Sequence, residues 1–205
     1  RGLGDVYKRQ GIGAAVALEL SKNGESVCIS SSNFYSLERK AKEISKLSGS
    51  EIHYVKVDVS SYNQLSQAAE EIVAKYKKID RVIFMAGIYE PMETEHMDPA
   101  LTAKIIEVNL TGAFNTVNCV LSIIRQQGFG QIAICASLSG YIGLPNAQPY
   151  ASTKAALISF AETLRIDLIN KVDIKLINPG FVSTRLTDKN SFKMPGLMTP
   201  TEAAI

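Results

Sequence analysis

The chain reads as an α/β protein, a doubly wound parallel sheet with helices on both faces. Three observations predict this. Strand-like and helix-like segments alternate regularly along most of the chain. Turn and cap residues punctuate them at the right places, as at Asn23-Gly24, Ser60-Ser61 and Asp98-Pro99. Finally, the residues able to do chemistry fall at the ends of strand segments, where ligands bind in such sheets.

The elements follow in order. Residues 14–22 form a helix ended by Asn23-Gly24, and Ser26-Val-Cys-Ile-Ser is a strand. A second helix runs from about Leu37 to Leu47 and stops near Gly49, before the strand that starts at Ile52. Ser60 or Ser61 caps a helix reaching about Lys77, and Asp80-Arg-Val-Ile-Phe-Met-Ala is a central strand. Asp98 as N-cap and Pro99 in the first turn open one long helix to Gly128, with Ile105, Val108 and Leu110 turned inward. Residues 131–136 are a strand, a helix opened by Tyr150 continues to about Asn170, and Asp173-Ile-Lys-Leu-Ile-Asn is the last strand. Residues 178–199, rich in Pro, Ser, Thr and Lys, are the one long loop.

With 205 residues, 46% of them apolar, the chain can bury one core, so residues 11–205 are expected to be a single domain. A net charge of +2 with scattered Lys and Arg gives no footprint for nucleic acid. No apolar run approaches the roughly twenty residues a membrane helix needs, and the expectation is a cytoplasmic protein. Cys28, Cys119 and Cys135 lie in apolar segments without metal-ligand spacing and are expected as buried free thiols. His53 and His96 are the only histidines, too few and ill-placed for a histidine triad or a zinc site; no metal is expected.

Chemistry concentrates around Tyr150 and Lys154. At positions i and i+4 of a helix the two share a face, so the ammonium can lower the phenol pKa from about 10 toward neutrality. Such a phenol can trade a proton with an alcohol or ketone. The other seven tyrosines lack a lysine at i+4. Ser137 stands thirteen residues before Tyr150, directly after a strand, with Ser139 as an alternative hydroxyl, and Asn109 sits on an earlier helix.

Taken together these residues resemble the short-chain dehydrogenase/reductase family, Rossmann-like oxidoreductases that use NAD or NADP. The motifs are Gly11-Ile12-Gly13, Asp58-Val59, Ala86-Gly87, Asn109, Ser137, Tyr150-x-x-x-Lys154 and Pro179-Gly180-Phe-Val182-Ser-Thr184, in the family's order. The resemblance implies that Tyr150 is the general acid in reduction and the base in oxidation. It implies that Lys154 tunes the phenol and binds the nicotinamide ribose, that Ser137 holds the substrate oxygen, and that Asn109 holds a water reaching Lys154. Gly11 and Gly13 would let the pyrophosphate approach a helix N-terminus. Asp58 and Val59 would flank the adenine, Ala86-Gly87 would make room for the adenine-side ribose, and Thr184, with the backbone near Pro179, Gly180 and Val182, would hold the carboxamide and phosphates. The implied reaction interconverts a secondary alcohol and a ketone by hydride transfer. The competing reading is a non-catalytic dinucleotide-binding or regulatory protein, or an inactive fragment.

The sequence departs from the family pattern in four places. Position 7, where a leading glycine belongs, is Tyr, and residues 1–10 lack the β-branched run of a first strand; they read as a foreign or disordered segment replacing it. The chain stops where the family usually continues through another helix and strand. Met85 stands where the family often has asparagine. After the strand ending at Ser30 come Ser31, Ser32 and Asn33, with no acid for the 2′-hydroxyl of NAD, so NADP is the preferred cofactor over NAD. Apolar residues on several faces of the helices 98–127 and 150–170 predict a homodimer or homotetramer.

Overall fold

The structure is a computed structural model that describes residues 11–205; the expected foreign segment 1–10, with Tyr7, lies outside the described residues. The described residues fall into two compact units, one of residues 11–57 with 180–205 and one of residues 58–179.

In the first unit, α1 (Ile12–Lys22), β1 (Val27–Ser31), α2 (Phe34–Ser48) and β2 (Ile52–Lys56) follow one another. The strands pair in parallel, from Val27 opposite Ile52 to Ser31 opposite Lys56. Leu18, Val27, Ala41, Ile44 and Ile52 make its core. Helix α2 starts earlier than the hydrophobic pattern indicates because Asn33 caps it, accepting from the Ser36 amide at 3.0 Å. It ends at Gly49, whose φ of 75° is the left-handed conformation that closes helices. Residues 180–205 are held by a bridge between Val182 and Met198; the expected loop carries a short 3-10 turn at Thr187–Lys189, and another follows it at Glu202–Ala204.

The second unit holds α3 (Tyr62–Tyr76), β3 (Arg81–Phe84), α4 (Pro99–Ile106), α5 (Gly112–Gln127), β4 (Gln131–Cys135), α6 (Gln148–Asp167) and β5 (Asp173–Ile177). Its sheet runs β3-β4-β5, all parallel. Residues 132–135 of β4 are all buried; since side chains alternate along a strand, both faces of the sheet are covered there. The α/β, Rossmann-like architecture is as expected, with the strands of the described residues divided between a two-stranded and a three-stranded sheet.

Two helix expectations are corrected. The long helix from Asp98 is capped as anticipated, with Asp98 accepting from Ala100 and Leu101, but it is interrupted by a π turn at Glu107–Thr111. There Ile105 and Asn109 are fully buried, while Val108 and Leu110 are only half-buried. Helix α6 begins at Gln148, two residues before Tyr150, and Pro149 in its first turn supplies the start. None of the three cysteines is in a disulfide; Cys119 and Cys135 are buried, but Cys28 is half-exposed because β1 is covered less completely than β4.

Candidate active site

Helix α6 carries Tyr150 in its first turn and Lys154 one turn later, and both come to the carboxyl end of β4. Lys154 is 4% exposed, and its Nζ donates to the Cys135 carbonyl at 2.9 Å, the last residue of that strand. Its ammonium lies 5.5 Å from the centre of the Tyr150 ring. Ser137, two residues past β4, is extended and accepts from the Ser139 amide at 3.1 Å. The Ser137 hydroxyl is close enough to the Tyr150 phenol to draw its pKa downward. Of the two serines considered from sequence, Ser137 therefore meets the phenol, whereas the Ser139 hydroxyl is buried without a partner.

Gly140 explains how this turn reaches the helix. A Cβ on Gly140 would lie 2.8 Å from the Lys154 carbonyl carbon and 2.9 Å from the Ala155 amide nitrogen. Only a residue without a side chain lets the Ser137 turn press on the backbone of α6.

Asn109, in the π turn and fully buried, joins a third segment to this pair. Its Oδ1 accepts from the Ile88 amide at 2.8 Å, and its Nδ2 donates to the Ile88 carbonyl at 3.0 Å and to Thr153 Oγ1 at 3.2 Å. Thr153 in turn donates to the Tyr150 carbonyl at 2.7 Å. The amide side chain is thus engaged with protein on both ends. Gly87 lies against the same group: its missing Cβ would be 3.6 Å from Asn109 Oδ1 and 3.8 Å from Lys154 Nζ. Ala86 packs on the apolar core beside it.

The electrostatics differ from the expectation of a phenol acidified by lysine. Burial pushes the Tyr150 phenol up to about 12; the Cys135 thiol adds to the rise, and the Ser137 hydroxyl draws it back. Burial also lowers the Lys154 ammonium, which the Cys135 thiol opposes. The ammonium lies beside the ring of Tyr150 and is spent on a carbonyl, so the low dielectric outweighs the lysine here.

The other motif residues of this unit serve structure visibly. Asp58 accepts from both the amide and hydroxyl of Ser60, at 3.0 and 2.7 Å, which holds its carboxyl below the usual range. Val59 fits against Gly112, where a Cβ would come within 2.6 Å of Val59 Cγ2, and Asn115 donates to the carbonyls of Val59 and Ser60. The Pro179 carbonyl accepts from the Leu138 amide at 3.2 Å, tying the end of β5 to the Ser137 turn.

In the first unit, Gly11 is the N-cap of α1, with its carbonyl accepting from Ala14 and Ala15, and Ile12 and Gly13 are the first helical residues. Ser31 and Asn33 are spent locally, Ser31 accepting from the Asn33 amide; Ser32 is exposed. Gly180 opens the returning segment, Val182 is buried in the bridge to Met198, and Thr184 bonds through amide and carbonyl to the Thr187 hydroxyl.

Sequence reasoning missed Gly140, Thr153, Asn115, Tyr89 and Lys56. Tyr89, just after Ala86-Gly87, is buried with its ring 5.1 Å from that of Tyr150. Lys56 is exposed at the end of β2, in register with Ser31, a pairing that the strand lengths could have indicated.

The residues around Lys154 fit a nicotinamide dinucleotide. A buried ammonium with one of its three donors on Cys135, facing a glycine with no side chain, suits vicinal ribose hydroxyls, and the Asn178 Oδ1 is a buried acceptor without a partner.

Parallel strands with helices on both faces, and a carboxyl edge that gathers Ser137, Tyr150 and Lys154, are the frame of an α/β oxidoreductase. The family profile described as short chain dehydrogenase matches residues 8–194, and the chain belongs to that family. It is 30% identical over 180 residues to the 3-oxoacyl-acyl-carrier-protein reductase FabG of Thermotoga maritima, covering 87% of this chain and 73% of that protein. Among solved structures, an alcohol dehydrogenase from the archaeon Thermococcus sibiricus complexed with 5-hydroxy-NADP is similar with a TM-score of 0.82 and 25% identity, over 95% of this chain and 83% of that one. A NAD+-bound xylitol dehydrogenase is similar with a TM-score of 0.80 and 28% identity, over 83% of this chain and 66% of that one.

Proposed function

We propose that this protein interconverts a secondary alcohol and a ketone with a nicotinamide cofactor, using Ser137, Tyr150 and Lys154 as its proton-handling set. The observation that carries the reading is that the Ser137 hydroxyl draws down the pKa of the Tyr150 phenol, whose ring centre lies 5.5 Å from the buried Lys154 ammonium. The cofactor, when bound, supplies or accepts the hydride. Ser137 donates to the carbonyl oxygen of the ketone and orients it. Tyr150, protonated throughout the neutral range, gives its proton to that oxygen as negative charge develops there. Lys154 directs its spare donors to the ribose hydroxyls, and Asn109 holds the segment of Gly87 and Ile88 in place. In oxidation the phenolate takes the alcohol proton instead.

NADP is the preferred cofactor and NAD the second. Two observations in the first unit support this: no acid follows β1, and exposed Lys56 stands in register with Ser31 beside exposed Ser32, a pair suited to a phosphate. The proposed phosphate contacts at Gly11, Gly13, Gly180 and Thr184 rest on the family alone. A homodimer is the proposed assembly: Phe114 of α5 and Phe160 of α6 stack with centroids at 4.0 Å, Phe114 is 47% exposed and Ile166 is 74% exposed.

The test is Tyr150→Phe, assayed with a panel of ketones and with NADPH and NADH by the absorbance of the reduced nicotinamide. Turnover is expected to vanish while cofactor affinity by calorimetry is retained; full turnover in this variant overturns the reading.

A further inference from the structure

Tyr89 stands two residues beyond Gly87, in the segment that leaves β3, and no motif covers it. It is 7% exposed, and its ring packs against that of Tyr150 with centroids 5.1 Å apart and planes at 59°, the tilted arrangement that aromatic quadrupoles favour. Its place is set from both sides. The preceding residue, Ile88, has both backbone polar groups held by Asn109. Farther along, the Met92 amide donates to the Asn146 carbonyl at 2.9 Å, and Gln148 bonds to the Thr94 hydroxyl, so the segment is fastened to the residues that open α6. Asn109 also reaches Thr153, which bonds the Tyr150 carbonyl. The backbone beside Tyr89 and that of Tyr150 are therefore joined through the buried Asn109 amide and the Thr153 hydroxyl.

We propose that Tyr89 is a positioning residue for the proton donor: its buried ring, pressed on that of Tyr150, fixes the ring plane and so the direction in which the phenol hydroxyl meets Ser137 and the substrate oxygen. The inference rests on the proton-donor role of Tyr150. A phenol has one freely turning torsion at the ring, and a misaligned donor costs rate steeply, on the order of a hundredfold for a displacement of about 1 Å. Lys154 borders the Tyr150 ring as well, but it is spent on the Cys135 carbonyl and bears on the ring only through its charge at 5.5 Å. Tyr89 supplies the contact by packing, and it shields the phenol from water, in line with the upward push that burial and Tyr89 itself exert on Tyr150.

The experiment uses the full chain with Tyr89→Ala, Tyr89→Leu and Tyr89→Phe. Two readouts are taken: NMR of ring-labelled tyrosine, with the Tyr150 signal assigned by its loss in Tyr150→Phe, and steady-state reduction of the most active ketone of the panel with NADPH. In Tyr89→Ala and Tyr89→Leu the Tyr150 ring is expected to flip faster, its pKa to fall by about one unit, and kcat to fall roughly tenfold or more with the KM for NADPH unchanged. Tyr89→Phe, which keeps the ring, is expected to recover kcat to within about twofold. A Leu variant that matches the parent in ring flipping and kcat overturns the inference, since bulk alone would then suffice. Should Tyr150→Phe keep its turnover, it is the proton-donor reading that fails; should that variant be dead while Tyr89→Ala turns over like the parent, only the role of Tyr89 fails. Thermal melting of each variant separates loss of folded protein, which lowers active-site concentration, from loss of rate per folded molecule.

Discussion

Asn109 grips Ile88 at both of its backbone polar groups, accepting from the amide at 2.8 Å and donating to the carbonyl at 3.0 Å. A side-chain amide here does what a neighbouring strand would do, just where β3 has ended. Replacing Asn109 with Leu removes those bonds and leaves buried groups unpaired, at about 1–3 kcal/mol each. Asn109→Leu is therefore expected to lose roughly 2–4 kcal/mol of stability in urea denaturation, with turnover lost as well because Tyr150 is tied to the same network through Thr153.

Gly140 yields a second expectation. Because its Cβ would strike the backbone of Lys154 and Ala155 as well as the end of the Ile158 side chain, Gly140→Ala must shift the Ser137 turn away from α6. Overpacking of this kind costs about 1–3 kcal/mol, and kcat is expected to fall more than tenfold, because the Ser137 hydroxyl moves away from the Tyr150 phenol. Urea denaturation and steady-state kinetics on one preparation check both.

The raised phenol pKa sets the pH behaviour. Below pH 10 Tyr150 is protonated whether folded or unfolded, so ketone reduction is expected to be flat with respect to this group from pH 6 to 9, whereas alcohol oxidation, which needs the phenolate, should climb about tenfold per pH unit across that range. A folded pKa above the unfolded one means the contribution to stability is complete below about 10 and is lost as pH rises toward about 12. Tyr150→Phe should remove that alkaline loss, which denaturation at matched pH values will show.

Asp58 behaves in the opposite sense. Ser60 depresses its folded pKa, so its contribution is present above the unfolded value of 3.8 and disappears as pH falls through the folded one. Asp58→Asn keeps an acceptor for the Ser60 amide and should leave stability at neutral pH within about 0.5 kcal/mol, while Asp58→Ala should cost about 1 kcal/mol. Denaturation at neutral and acid pH compares them.

The proposed preference for NADP is tested at Lys56. Lys56→Glu is expected to raise the KM for NADPH about tenfold, the loss of one charge-assisted contact, and to leave that for NADH nearly unchanged. Paired Michaelis constants measure this, and equal effects on both cofactors would contradict the preference.

Much of this was legible in the sequence because local chemistry marks it. Ser61 and Asp98 announce helix starts through side chains that replace missing backbone partners, and Gly49 and Gly128 announce ends through positive φ, whereas the Asn33 cap was hidden behind an apolar pattern that starts at Leu37. The spacing of Ser137, Tyr150 and Lys154 was equally plain. What escaped depends on contacts between distant segments: Gly140 against α6, Gly112 against Val59, Tyr89 against Tyr150. The π turn did leave a trace. Ile105 and Ile124 are both fully buried although nineteen residues apart, which at 100° per residue would set them about 100° out of phase on a straight helix. One surplus residue between them accounts for the slip. The weakened phenol acidity escaped for another reason: helical spacing brings Lys154 to the same face as Tyr150 but does not say that its ammonium will be drawn to the Cys135 carbonyl.

That surplus residue gives the helix pair α4 and α5 a separable design. Shortening the stretch 107–111 by one position would bring Ile105, Ala113, Val117, Val120 and Ile124 into a single unbroken stripe, a straighter and more regular rod than the natural one. Such a rod would have no widened turn from which an amide could reach over to the end of β3. The irregularity is thus a cost in helical regularity that places Asn109 against Ile88 and Thr153, and it marks where this scaffold could be made sturdier only by giving up that bridge.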